Sequence, residues 1–131
     1  MLVLLFRSIE EATNKLSIIR EELMKVHENY SKTIEEVKIN ANVESMLAKV
    51  GYRPSHRVVT IQSISSTTNV HIMPHSTWLL NKLKSVNDNI SFIINEIDKV
   101  RNYLNNVKTK DVSVMIMIDY KNKKSRLVIM P

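Results

Sequence analysis

Apolar side chains recur every three or four residues at Leu79, Leu83, Val86, Ile90, Ile93, Ile97, Val100, Leu104 and Val107. An α-helix gathers such positions onto one face, so this stretch is expected to be a long helix that must bury its stripe against something else. Pro74 stops what precedes it, and Ser76 is read as the N-cap. A second stripe, Leu2, Leu5, Ile9, Ala12, Leu16, Ile19, Leu23, Val26, Tyr30 and Val37, alternates steps of three and four as a heptad seam does. On its outward side Glu11 and Lys15, Glu21 and Lys25, and Glu28 and Lys32 place each glutamate four residues before a lysine, the favourable order for a solvated face. Ser8 with Glu11 makes a capping box, which starts this helix near Ser8 and leaves Leu2 to Phe6 free to form a short strand. Asn40 and Asn42 interrupt the seam, which predicts a bend or break there. Met46, Leu47 and Val50 then lead to Gly51, the natural left-handed residue just past a helix end.

Between and after the helices the pattern changes. Arg57 to Ile64 is rich in β-branched residues, Ser65 to Asn69 is polar, and Val70 to Met73 is apolar again, the signature of a hairpin. A second hairpin follows from Val112 to Asp119, the loop Tyr120 to Lys124, and Arg126 to Met130. The expected class is therefore α+β in the order αββαββ, with an extra N-terminal strand if Leu2 to Phe6 is extended. Two long helices would lie against a mostly antiparallel sheet of four or five strands. At 131 residues, residues 1–131 make one domain. A gapless shift of 57 residues lays Val43, Leu47 and Val50 over Val100, Leu104 and Val107, and Ile72-Met73-Pro74 over Ile129-Met130-Pro131. This raises an internal duplication of 1–74 and 75–131 as a reading beside the undivided domain.

Composition removes several kinds of chemistry. The chain has one glycine, three prolines and no cysteine. A phosphate-cradling loop, a dinucleotide fingerprint and a nucleophile elbow each need more than one glycine. Without cysteine there is no disulfide framework, thiolate metal site or thiol nucleophile. Met1 to Phe6 is too short an apolar run for a secretory signal or a membrane span, so the chain is expected to be soluble, non-secreted and without a span.

The remaining polar constellations have ordinary explanations. Glu10-Glu11, Glu21-Glu22 and Glu35-Glu36 fall on the helix exterior, whereas acid–base pairs need two carboxyls in a cleft. His71 and His75 flank Met73-Pro74 with no carboxylate or thiolate beside them in sequence, so no metal site is expected. No cofactor and no small-molecule substrate are expected, and the chain is read as a non-enzyme. The net charge of +6 is unevenly spread. Lys108, Lys110, Lys121, Lys123, Lys124 and Arg126 concentrate at the last hairpin, with Arg53 and Arg57 at the entry of the first. These eight are candidate contacts to a phosphate backbone. In the strand from Val112 to Ile118, Val112, Val114, Ile116 and Ile118 can pack on the helices. Met115 and Met117 then make the other face apolar too, and they are candidate interface residues of a homo-oligomer.

In its size, its cysteine-free composition rich in isoleucine, lysine and asparagine, and its alternation of helix and hairpin, the chain resembles small virion structural proteins of viruses that infect hyperthermophilic archaea, such as those of the two-tailed virus of Acidianus. The resemblance implies a non-enzymatic role in particle architecture, a location in the virion (otherwise the cytoplasm), and other virion proteins among its partners. The competing expectation is a basic dimer that binds DNA without sequence preference.

Overall fold

The computed structural model describes residues 1–52, 55–109 and 111–131. Along them run β1 (Leu2–Phe6), α1 (Ile9–Ala48), β2 (Arg57–Gln62), β3 (Thr67–Ile72), α2 (Ser76–Asn105), β4 (Ser113–Asp119) and β5 (Lys124–Met130). The class is α+β, the order is αββαββ behind an N-terminal strand, and every strand pairing is antiparallel. The strands do not merge into one sheet of four or five. They form a three-stranded sheet, β1-β4-β5, and a separate pair, β2-β3. β4 has two hydrogen-bonding edges, and β1 and β5 fill both, so the first hairpin has no place beside it.

The chain divides into two compact units, Met1–Asn29 with Val86–Pro131, and Tyr30–Ser85. Both boundaries fall inside helices, α1 and α2 each contributing to both units.

In the first unit the inner face of the sheet supplies Phe6, Val114, Ile116 and Ile118. Ala12 and Leu16 of α1 and Ile97, Val100 and Leu104 of α2 close over them. Ala12, Leu16, Ile97, Val114, Ile116 and Ile118 are fully enclosed. Alternation puts Leu2, Leu4, Leu127 and Ile129 at the margin of the same core. Here the helices run antiparallel, with Arg20 Nε 2.6 Å from Asp98 Oδ1 and Ser91 Oγ 2.8 Å from His27 Nε2. Ser8 caps α1, its Oγ accepting the Glu11 N–H at 3.0 Å. The Glu11 carboxylate reaches back to the Arg7 N–H at 2.6 Å, one residue earlier than the usual box.

In the second unit α1 continues unbroken to Ala48, contrary to the bend expected at Asn40 to Asn42. Asparagine lowers helix propensity by a few tenths of a kcal/mol but leaves helical dihedrals open. Val37 is buried and Ala41 half-buried, so the inner stripe carries through. The helix ends in a Schellman motif: Tyr52 N–H donates to the Leu47 carbonyl at 3.1 Å and Gly51 N–H to that of Ala48 at 3.2 Å, with Gly51 at φ 91°. α2 begins one residue earlier than its expected cap. Leu79 N–H donates to the His75 carbonyl, which makes His75 the capping position and Ser76 the first helical residue. The side-chain acceptor comes from α1 instead. Glu44 takes the Ser76 N–H at 2.9 Å and the Ser76 hydroxyl at 2.7 Å, a carboxylate at the positive end of a helix.

Ile97 is fully buried whereas Ile18 is 61% exposed. Replacing Ile97 with alanine is expected to destabilise the first unit by about 2–5 kcal/mol, the range for a buried large-to-small change. Ile18→Ala should stay within about 0.5 kcal/mol. Urea titration of the two variants, followed by circular dichroism, checks the difference.

Candidate functional site

β4 is flanked on both sides, so the alternation along it decides two surfaces at once. On the side away from the helices, Met117 pairs with Val3 of β1 and Arg126 of β5, Met115 with Leu5 and Val128, and Ser113 with Met130. Met115 and Met117 therefore lie together at the centre of an apolar outer face that also includes Val3, Leu5, Val128 and Met130. Val3 is 53% and Leu5 68% exposed, so this face is open to solvent. Sequence reasoning identified only its two methionines. The contribution of β1 was readable in principle, because Leu2-Val3-Leu4-Leu5-Phe6 is apolar at both alternating sets of positions.

The basic residues are distributed rather than pooled. Lys121, Lys123, Lys124 and Arg126 are all exposed at one end of the three-stranded sheet. The turn there is organised by Asp119, whose Oδ1 accepts the N–H groups of Lys121 and Asn122 at 3.2 Å and whose Oδ2 accepts the Asn122 amide at 2.7 Å. These bonds, led by the Asn122 side chain, hold the Asp119 carboxyl below its usual 3.8. Lys123 is turned to α2, with its ammonium 3.3 Å from Asn89 Oδ1 and 4.8 Å from the Phe92 ring centroid. Lys124 and Arg126 border a small pocket of about 250 Å³ with Met1, Met117 and Asp119. Lys108 lines a groove with Ser8, Ile9 and Leu104, just past the end of α2. The helix between Asn89 and Asn105 separates it from the turn by about 24 Å at 1.5 Å per residue. Arg57 is exposed on β2 in the other unit. Arg53 and Lys110 lie outside the described residues.

One carboxylate that the sequence did not single out is buried. Glu96 of α2 faces β5, accepting the Ser125 hydroxyl at 2.5 Å and the Lys99 ammonium at 2.7 Å. It lines an open groove of about 530 Å³ with Lys99, Tyr103, Ser125 and Leu127. Burial pushes its carboxyl up, but the hydrogen bonds from Lys99 and Ser125 and the Lys99 charge outweigh this and leave it below the usual 4.5. Both oxygens are engaged, so the group ties helix to strand. Glu10, Glu21, Glu22, Glu35 and Glu36 are exposed along α1.

The second unit brings a third histidine to the two noted in the sequence. His56 Nε2 lies 2.9 Å from His71 Nδ1, and its ring is edge-on to His75 at 5.3 Å between centroids. Among the described residues no group of three or more histidine, aspartate or glutamate side chains is arranged to hold a metal ion. No helix among the described residues is long and apolar enough to cross a membrane. No family model, curated protein or solved structure matches this chain.

The lowered Glu96 carboxyl stabilises the fold above pH 4.5, and this contribution is lost as pH falls through the folded-state value. Urea midpoints measured from pH 6 down to pH 3.5 should therefore fall more steeply for the wild type than for Glu96→Gln. The variant should already be the weaker protein at pH 6, because it loses the charged acceptor.

Proposed function

We propose that the protein is a non-enzymatic assembly subunit that self-associates through the outer face of the β1-β4-β5 sheet. The observation that carries this reading is the open apolar face built around Met115 and Met117 and widened by Val3, Leu5, Val128 and Met130. A contiguous exposed apolar face is often functional, and self-association is the use this one fits. A second copy is the occupant the face fits. Two such faces stacked about 10 Å apart would interdigitate their methionine, valine and leucine side chains as a sandwich core does.

The size of the contact indicates what kind of assembly it makes. Three strands about 4.8 Å apart and seven residues of about 3.4 Å cover a footprint of roughly 340 Å², well under the roughly 800 Å² per partner of a standard stable interface. Such a patch gives a pair of modest affinity, formed at tens of micromolar, that becomes firm where several contacts act together. That is the behaviour of a building block in a larger particle. The resemblance of the chain to archaeal virion proteins supports the reading that the particle is a virion, with other virion proteins beside it.

Replacing Met115 and Met117 together with lysine should convert the wild-type oligomer to monomer by light scattering at tens of micromolar, with circular dichroism unchanged. A monomeric wild type at that concentration would defeat the proposal.

The second reading is sequence-independent DNA binding, favoured by the exposure of Lys121, Lys124 and Arg126 at one end of the sheet. Three neutralised phosphates would give a logarithmic salt slope of about −2.7 on duplex DNA. Glutamine at all three positions should flatten that slope and weaken binding equally for unrelated sequences. Failure of the wild type to retard duplex DNA at low salt would remove this reading and leave the first intact.

A further inference from the structure

Four rings meet in the second unit, and the outer sheet face has no need of them. His56 lies just before β2, His71 is in β3, His75 is the capping position of α2, and Trp78 is in its first turn. His71 stacks on Trp78 with centroids 4.1 Å apart and planes 27° apart. His56 is 5.5 Å from Trp78 and shares the 2.9 Å contact with His71. That contact requires at least one neutral imidazole, because a charged ring offers only donors.

The cluster joins the base of the β2-β3 hairpin to the start of α2. Among the described residues little else holds the hairpin. All six residues of β2 are exposed, and in β3 only His71 and Ile72 are half-buried. A two-stranded hairpin alone is marginal in water, so a few contacts at its base decide whether it stays docked.

The charges around the cluster do not favour protonation of His56. Glu44 of α1 faces His75, but both of its oxygens are taken by Ser76. Lys82 of α2 adds positive charge, its ammonium 5.8 Å from the Trp78 centroid. Arg57 follows His56 in the chain, and Tyr52 lines the adjoining groove with His75 and Trp78. Among the described residues neither His56 nor His71 forms an ion pair with a carboxylate.

We propose that the β2-β3 hairpin is a proton-released arm, held on α2 by the His56–His71 contact and the stack of His71 on Trp78, and freed when mild acid charges His56. Burial, and then the charges of His71 and His75, lower His56 below the usual 6.5. A depressed histidine favours the docked, neutral state. Docking is therefore complete above pH 6.5 and is lost as pH falls through the lower docked-state value. The register places Val59, Ile61 and Val70 on the face opposite His71, where they are exposed in the docked state as well, so what release uncovers is the His71 side.

Hydrogen–deuterium exchange of the full chain at pH 7.5 and pH 5, corrected for the intrinsic pH dependence of exchange, tests this. Protection of the β2 and β3 amides is expected to fall by about tenfold or more at pH 5 while β4 amides keep theirs. The emission of Trp78, the only tryptophan, should shift over the same interval. In the double variant His56→Gln, His71→Gln, hairpin protection should no longer depend on pH. Equal hairpin protection at both pH values in the wild type, or parallel loss in β4, would overturn the proposal. So would an unchanged pH dependence in the double variant. If that variant fails to fold, the wild-type comparison of hairpin with β4 decides alone. None of these outcomes bears on self-association through the other unit.

Discussion

Val114, Ile116 and Ile118 are wholly enclosed between β1, β5 and the two helices, and this one row of contacts organises the first unit. Each residue brings an apolar side chain to the point where Ala12 and Leu16 of one helix meet Ile97, Val100 and Leu104 of the other. Burying a side chain of this size contributes about 1.5–3 kcal/mol, and register follows from it. Slipping β4 by one residue would exchange Ile116 for a methionine and turn the whole row out to water. The same alternation leaves no freedom over the other face. Once the inner row is set, Met115 and Met117 must project outward, and the two neighbouring strands add Val3, Leu5, Val128 and Met130 beside them. The core and the open face are two consequences of one strand whose residues are apolar at every position from Val114 to Ile118.

This explains which features could be read in advance. Helical stripes are local signals repeated over many residues, so α1, α2 and the hairpins were legible, and the Ser8 and Gly51 boundaries were marked by residues with specific backbone roles. Sheet membership is not local. Nothing in Leu2 to Phe6 states that it fills the second edge of β4, and that pairing separates the strands into two sheets. The break expected at Asn40 to Asn42 rested on the seam turning polar there, whereas the helix keeps its inner stripe through buried Val37 and half-buried Ala41 between the asparagines. At the start of α2, Ser76 looked like a cap because serine is a good one. The acceptor that the structure uses, Glu44, lies 32 residues earlier, and no spacing rule reaches that far. His56 was missed for the same reason, since only hairpin pairing carries it to His71.

Glycine shortage leaves its mark on the backbone. The one glycine is placed where a left-handed residue ends α1. The other described left-handed positions fall to Met73 at φ 51° and Lys123 at φ 54°, each at a cost of about 1–2 kcal/mol for a residue with a Cβ. Lys123 recovers part of this through its contacts with Asn89 and Phe92, so a residue that looks like free positive charge in the sequence is partly committed to holding its own turn. The basic hairpin therefore presents less unattached charge than its lysine count implies, and the three side chains without that commitment, Lys121, Lys124 and Arg126, sit at the end of the sheet where the apolar outer face gives way to polar residues.

That arrangement bears on how copies could meet. An outer face bordered at one end by like charges discourages a partner from sliding along the strands, because overlap of two basic ends is repulsive at low salt. An antiparallel arrangement related by a two-fold axis would place the basic end of each copy beyond the apolar field of the other, so both sheets could bury their methionines without opposing Arg126 to Arg126. In that arrangement the basic ends lie apart, so added salt acts mainly through the apolar contact, which excluded salts strengthen. Phosphate binding by those residues would weaken over the same range. The two readings of this surface thus respond to ionic strength with opposite sign, which follows from the placement of Arg126 opposite Met117 at the meeting point of the charged and apolar regions.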